Sequence, residues 1–144
     1  MGSGHKYGSS IKPSQRLEQP PIPATTGPRL VSVSFRYVEV GGRYCLSRCD
    51  REGVRIFKSC LKKLTSQNWF DVQQTGGKGG TKVGLGYTLY SDSSLHRVVR
   101  PTGLSRELRI AGIRASGKAR IFGVRENDVY HILWFDPDHE IVPD

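Results

Sequence analysis

Arg120, Asp136, Asp138 and His139 are the side chains whose types and spacing point most directly to chemistry. Three of them lie in the run DPDH, where Pro137 has no amide hydrogen for a sheet ladder and the acids favour a turn. A strand leading into that run should therefore stop at Phe135, which gathers ionisable groups at the strand end. Arg120 is placed opposite that end, where a guanidinium can pair a carboxylate or hold a phosphate, and His139 is one turn away. A plainer use of Arg120 is a salt bridge to Asp136 or Asp138 that only closes the strand end. The same run has metal-ligand types, but a tight turn rarely aims three ligands at one point and no second ligand pair accompanies it, so no metal and no cofactor are assigned. His131 is a further catalytic candidate, although a mid-strand histidine on an apolar face is more often packed in the core.

These residues need strands to carry them. Three apolar, β-branched or aromatic runs, residues 108–114, 120–124 and 129–135, are separated by the turn signals Ser116-Gly117 and Asn127-Asp128, which predicts a three-stranded antiparallel meander. A two-residue turn at Asn127-Asp128 places Tyr130 opposite Arg125, His131 opposite Val124, Leu133 opposite Phe122 and Phe135 opposite Arg120. Phe122, Val124, His131, Leu133 and Phe135 then share a face with Arg120, while Ile121, Arg125, Tyr130, Ile132 and Trp134 share the other. Both faces are apolar in the middle, so one should pack on a helix and the other under a loop or a partner chain.

Upstream, residues 30–40 alternate, with Val31, Val33, Phe35 and Tyr37 on one side, and predict a half-buried strand that ends at Gly41-Gly42. Residues 43–46 are a candidate hairpin partner for it. Asp50 is a candidate N-cap, followed by Val54, Phe57, Leu61 and Leu64 at helical spacing with Cys60 beside them and a basic opposite face. Trp69, Phe70 and Val72 suggest a short second helical turn. Residues 76–86 form a glycine-rich loop that lacks the Gly-Lys-Ser/Thr ending of a Walker loop. Residues 87–100 are read as a strand, a moving flap over a site, or both, and residues 104–107 as one helical turn. The fold class that follows is α+β, a four- to five-stranded, mainly antiparallel sheet whose C-terminal meander packs on one main helix.

A chain of 144 residues is about the size of one domain. Residues 1–29, rich in proline and polar residues, are set aside as a disordered tail or added leader, leaving 30–144 as the domain. The net charge of +9, from 22 lysines and arginines against 13 acids, favours a polyanionic partner, most often nucleic acid. Lys62, Lys63, Arg97, Arg100, Arg114, Lys118 and Arg125 are the candidate nucleic-acid contacts, with Tyr87 and Tyr90 as candidate base-stacking residues. Cys45, Cys49 and Cys60 form neither a CxxC nor a paired framework, so a reduced, cytoplasmic setting is expected. No apolar run reaches the ~20 residues of a membrane span.

Taken in order, the elements resemble the small bacterial toxins of the RelE and ParE superfamily. KARIFGV is similar to the arginine-bearing middle strand of that group, and VYHILWFDPDHEI to its last strand and histidine-bearing tail. The same tail is also similar to that of prokaryotic proteins of uncharacterised activity ending in W-F/L-D-P-x-H. The superfamily resemblance implies a metal-independent endoribonuclease that cuts messenger RNA, usually on the ribosome, and is neutralised by an antitoxin. It implies that Arg120 stabilises charge, that His139 is the acid or base, and that Arg97, Arg100, Arg114 and Lys118 hold the backbone. The glycine-rich insertion and the acidic tail depart from the pattern. A non-catalytic nucleic-acid-binding module and a protein interaction module that uses an exposed sheet face remain open as alternatives.

Overall fold

The computed structural model describes residues 17–23, 27–75 and 84–144. Most of the set-aside leader and most of the glycine-rich loop therefore lie outside the described residues. The chain forms β1 (Ser32–Ser34), α1 (Arg51–Leu64), α2 (Trp69–Gln73), β2 (Thr88–Leu89), β3 (Ile110–Arg114), β4 (Arg120–Glu126) and β5 (Val129–Asp136). The strands join one sheet in the order β1-β5-β4-β3-β2. All neighbours are antiparallel except β1, which runs parallel to β5 and pairs Ser32 with Val129 and Ser34 with His131. This is the expected α+β sheet with a C-terminal meander and one main helix.

Helix α1 starts where the capping argument places it. The Asp50 carboxylate accepts the Gly53 amide at 2.8 Å, which satisfies a donor that the first turn leaves free and contributes about 0.5–2 kcal/mol. Phe57, Cys60 and Leu64 turn inward, and the Glu52–Arg55 pair sits on the exposed side. Asn68 caps α2 in the same way, through the Asp71 amide at 2.9 Å. Its Trp69 packs against Tyr87 and Tyr130 with ring centroids 5.6 and 6.0 Å apart.

The upstream strand is shorter than the alternation of its residues predicts. Pairing ends at Ser34, and the chain then turns so that Val31 and Val33 pack on the helix side while Tyr37 reaches the other face of the sheet. Residues 43–46 make no hairpin; they enter a 3-10 turn at Leu46–Arg48, which Cys45 caps through its sulfur. Residues 104–107 likewise form turns and no helix. The 87–100 stretch contributes the short edge strand β2 and a 3-10 turn at Asp92–Leu95.

The meander departs from simple alternation at one point. From the Asn127 turn, where φ is +54°, the pairs Glu126–Val129, Arg125–Tyr130 and Val124–His131 follow the expected register. Between Phe122 and Gly123 the register then shifts by one, because β5 carries an extra residue. Phe122 consequently faces Trp134, and Arg120 faces Asp136 instead of Phe135. Beyond the bulge the two faces exchange members, so that Phe135 joins Phe57, Ile121, Tyr130 and Ile132 under the helices. Trp134 joins Phe122, Val124 and Leu133 on the opposite face. That face is covered by the chain's own loops, through Tyr44, Leu95, Leu104 and Ile141.

Gly123 permits this arrangement. A Cβ there would stand 2.7 Å from Tyr130 Cζ and would also run into the His131 carbonyl. With glycine in place, the buried Tyr130 ring crosses beneath β4 and its hydroxyl donates to the carbonyls of Ala111 at 2.7 Å and Ile121 at 3.2 Å.

Gly123→Ala is expected to lower stability by about 1–3 kcal/mol in urea unfolding, the range for overpacking a closed site; an unchanged midpoint would remove the glycine from this role. A second expectation concerns pH. Burial pushes the Cys60 thiol up to about 12, against 9.0 for an ordinary thiol. The unfolded chain releases that proton first, so the contribution is complete below pH 9.0 and is lost as pH rises towards 12. Wild type should therefore lose melting temperature more steeply above pH 9.0 than Cys60→Ala does.

Candidate anion site

Arg114 and Arg120 stand directly opposite each other at the end of the β3–β4 pair, on the loop-covered face of the sheet. Arg120 turns its Nη1 towards the hairpin between these strands, donating to the carbonyls of Ala119 at 3.0 Å, Ser116 at 3.2 Å and Gly117 at 3.4 Å. Burial and then the neighbouring Arg114 charge depress its pKa, offset in part by Tyr90, Asp144 and Asp136. A guanidinium nonetheless remains charged at any physiological pH.

Every Asp and Glu of the chain is among the described residues. Among those residues no carboxylate lies within 4.0 Å of either guanidinium; the ion pairs all involve other residues. The plainer alternative, an Arg120 salt bridge that closes the strand end, is thus absent among the described residues, and Lys118 pairs with Asp138 at 3.0 Å instead. Two like charges side by side, with no carboxylate within ion-pair distance of either, are an arrangement that can hold an anion.

Two glycines make room for these side chains. The Arg114 guanidinium lies over Gly86, where φ is +57° and a Cβ would stand 3.0 Å from Arg114 Nη2. Tyr90 is seated on Gly112, where a Cβ would be 2.9 Å from its ring, and it packs on Phe122 with centroids 5.5 Å apart. Burial raises the Tyr90 hydroxyl pKa, so it stays a neutral donor.

His139 comes to the same place because Asp136 folds the tail back. The fully buried Asp136 carboxylate accepts the amides of Glu140 at 2.9 Å and Ile141 at 2.8 Å, and Ile141 is itself buried in the loop-side cluster. The turn sets His139 at φ +57°, an uncommon conformation for a residue with a side chain, with Nδ1 3.8 Å from Asp144 Oδ2. Thr88, Tyr90, Arg114, Arg120, His139 and Asp144, with the two glycines, line one cavity of about 190 Å³. That is smaller than the ~300–1,000 Å³ of drug-sized ligand pockets and suits a group such as a phosphate. The three ionisable groups of the DPDH run point three ways, to backbone amides, to Lys118 and to this cavity. Among the described residues no cluster of metal ligands forms.

The remaining candidates lie elsewhere. His131 is buried opposite Val124, with Nε2 3.0 Å from Glu126 Oε1 and its ring edge-on to Tyr37 at 5.2 Å, and it shares no cavity with Arg120. Lys62 and Lys63 are exposed on α1, across the sheet from the cavity. Arg125 lies 4.8 Å above the Trp69 ring and donates to the Asn127 carbonyl. Arg97 donates to the Glu140 carbonyl at 2.6 Å, and Arg100 to the carbonyls of Ser105 and Leu108. Of the two tyrosines, Tyr87 is buried under the helices and only Tyr90 reaches the cavity. Gly86, Thr88 and Gly112 are additions of the structure; a glycine inside the β3 run is the one sequence signal for a close approach.

No family model, curated protein or solved structure matches the chain.

Asp136→Ala is expected to free the tail turn. Limited proteolysis should then cut after β5 in the folded variant and not in wild type, whereas equal resistance would show that Ile141 alone holds the tail.

Proposed function

We propose that the chain is a metal-independent endoribonuclease of the RelE-like kind, acting on messenger RNA, and that its cavity holds the scissile phosphate. The observation that supports this most is the pair of guanidiniums with no carboxylate within ion-pair distance, sharing one small cavity with a histidine. In the proposed reaction His139 takes the proton of a ribose 2′-hydroxyl. The O2′–P bond forms as the P–O5′ bond breaks, leaving a 2′,3′-cyclic phosphate, and the departing 5′-oxygen takes a proton from water. Arg114 and Arg120 offset the charge that grows on the phosphorane oxygens, and Tyr90 can donate a further hydrogen bond. The net charge of +9 would draw the polyanion in from a distance. The ribosome as the place of cutting and an antitoxin as a protein partner belong to the same proposal.

The test is cleavage of a defined RNA, free and on programmed ribosomes, with EDTA present. Arg120→Ala is expected to lose about 10²–10³-fold in rate, as when a preorganised charge-stabilising donor is removed. His139→Ala should lose about 10²–10⁴-fold, the usual contribution of a positioned acid or base. Matching circular dichroism spectra would show that both variants are folded. If wild type leaves RNA intact in both settings but binds it with a salt-sensitive affinity, the cavity belongs to a non-catalytic nucleic-acid-binding module.

A further inference from the structure

Tyr90 also lines a second cavity. This one, of about 210 Å³, is lined by Tyr90, Ser91 and Asp92 together with Arg100, Arg106 and Arg109. Its lining holds three arginines and one aspartate. Among the described residues, none of the three arginines, nor Asp92, takes part in an ion pair. Arg100 is held in place by two backbone carbonyls, while Arg106 and Arg109 are exposed.

The two basic cavities are therefore of similar size and share one aromatic wall. A single-stranded nucleic acid has the complementary pattern, a phosphate, then a sugar and base, then a phosphate. The larger cavity of the same face, about 630 Å³, lacks this character: Glu39 and Glu140 line it beside Arg43 and Arg97, and Arg43 is paired with Glu140 at 2.7 Å.

We propose that the Arg100, Arg106 and Arg109 cavity is a second phosphate subsite, so that the protein grips two consecutive phosphates of one RNA strand with the intervening nucleoside against Tyr90. This rests on the assignment of the Arg114 and Arg120 cavity to the first phosphate. The minimum ligand is then a nucleoside flanked by phosphates on both sides. A single phosphodiester fills only half of the site.

The test uses binding and not cleavage. Single-stranded deoxyuridine oligonucleotides lack the 2′-hydroxyl and cannot be cut, so the dinucleotide, with one phosphate, and the trinucleotide, with two, can be titrated by calorimetry. Wild type is expected to bind the trinucleotide about tenfold more tightly, the effect of one charge-assisted hydrogen bond. The Arg106→Ala/Arg109→Ala double variant should lose that difference while keeping its affinity for the dinucleotide. Its trinucleotide binding should also become less salt-dependent, by about 0.7 in logarithmic slope for each phosphate that is no longer neutralised. Tyr90→Leu should weaken both ligands, and Arg51→Ala/Lys58→Ala, on the exposed side of α1, should change neither. Melting temperatures within a degree or so of wild type are expected for the double variant, since both side chains are exposed.

Equal wild-type affinity for the two oligonucleotides would overturn the second subsite, as would a difference that survives Arg106→Ala/Arg109→Ala. If RNA is cleaved but the difference is absent, the first cavity keeps its function and the second loses it. If the difference depends on Arg106 and Arg109 but no RNA is cleaved, the two-phosphate grip stands and the chemistry falls. Binding of neither oligonucleotide would overturn both.

Discussion

The extra residue that β5 inserts opposite β4 governs what each side of this sheet receives. Without it, alternation would carry Phe135 to the Arg120 side and send Asp136 towards the helices, where a carboxylate would meet Phe57, Ile121 and Ile132. With it, Phe135 fills the helix-side core, at 5.4 Å from the Phe57 ring, and Asp136 arrives on the loop side. The bulge sits beside Gly123, the one β4 position where a missing side chain lets the Tyr130 ring pass so closely beneath the sheet. Core packing and the placement of the ionisable groups are thus settled by the same local irregularity.

Asp136 carries the consequence into the candidate site. Its carboxylate stands opposite Arg120 in the register, yet both its oxygens are taken up by the tail amides of Glu140 and Ile141. A buried carboxylate without partners would be costly, and two amides from a tight turn meet that need while bending the chain so that His139 reaches the cavity. Arg120 is satisfied on one edge by hairpin carbonyls, which are neutral acceptors. The result is a site whose two guanidiniums have no carboxylate within ion-pair distance, as an anion-binding site requires.

The basic residues differ in the work they do. Arg125 stacks on Trp69, Arg97 ties its loop to the Glu140 carbonyl, and Lys118 secures the tail to the β3–β4 hairpin through Asp138. A positive net charge read from composition counts all of them alike. Only their partners separate the structural guanidiniums from those left to meet a ligand.

By itself the sequence determined the elements governed by near neighbours. The Asp50 cap and the 3.6-residue spacing of Phe57 and Leu64 define α1, Asn127-Asp128 defines the last hairpin, and β-branched and aromatic runs define the meander. These depend on backbone sterics and on contacts a few residues apart, which a linear reading can see. It also singled out Arg120 and His139 as a pair, through the strand-ending DPDH run. Tertiary structure alone decided the parallel seat of β1 beside β5, the truncation of β1 at Ser34, and the bulge that exchanged Phe135 for Trp134. It alone decided that Asp136 would bind amides and leave Arg120 unpaired, that His131 would lie apart with Glu126 and Tyr37, and that Gly86 and Gly112 would seat Arg114 and Tyr90. Each of these rests on the close approach of segments far apart in the chain, where the shape of one side chain sets the space left for another.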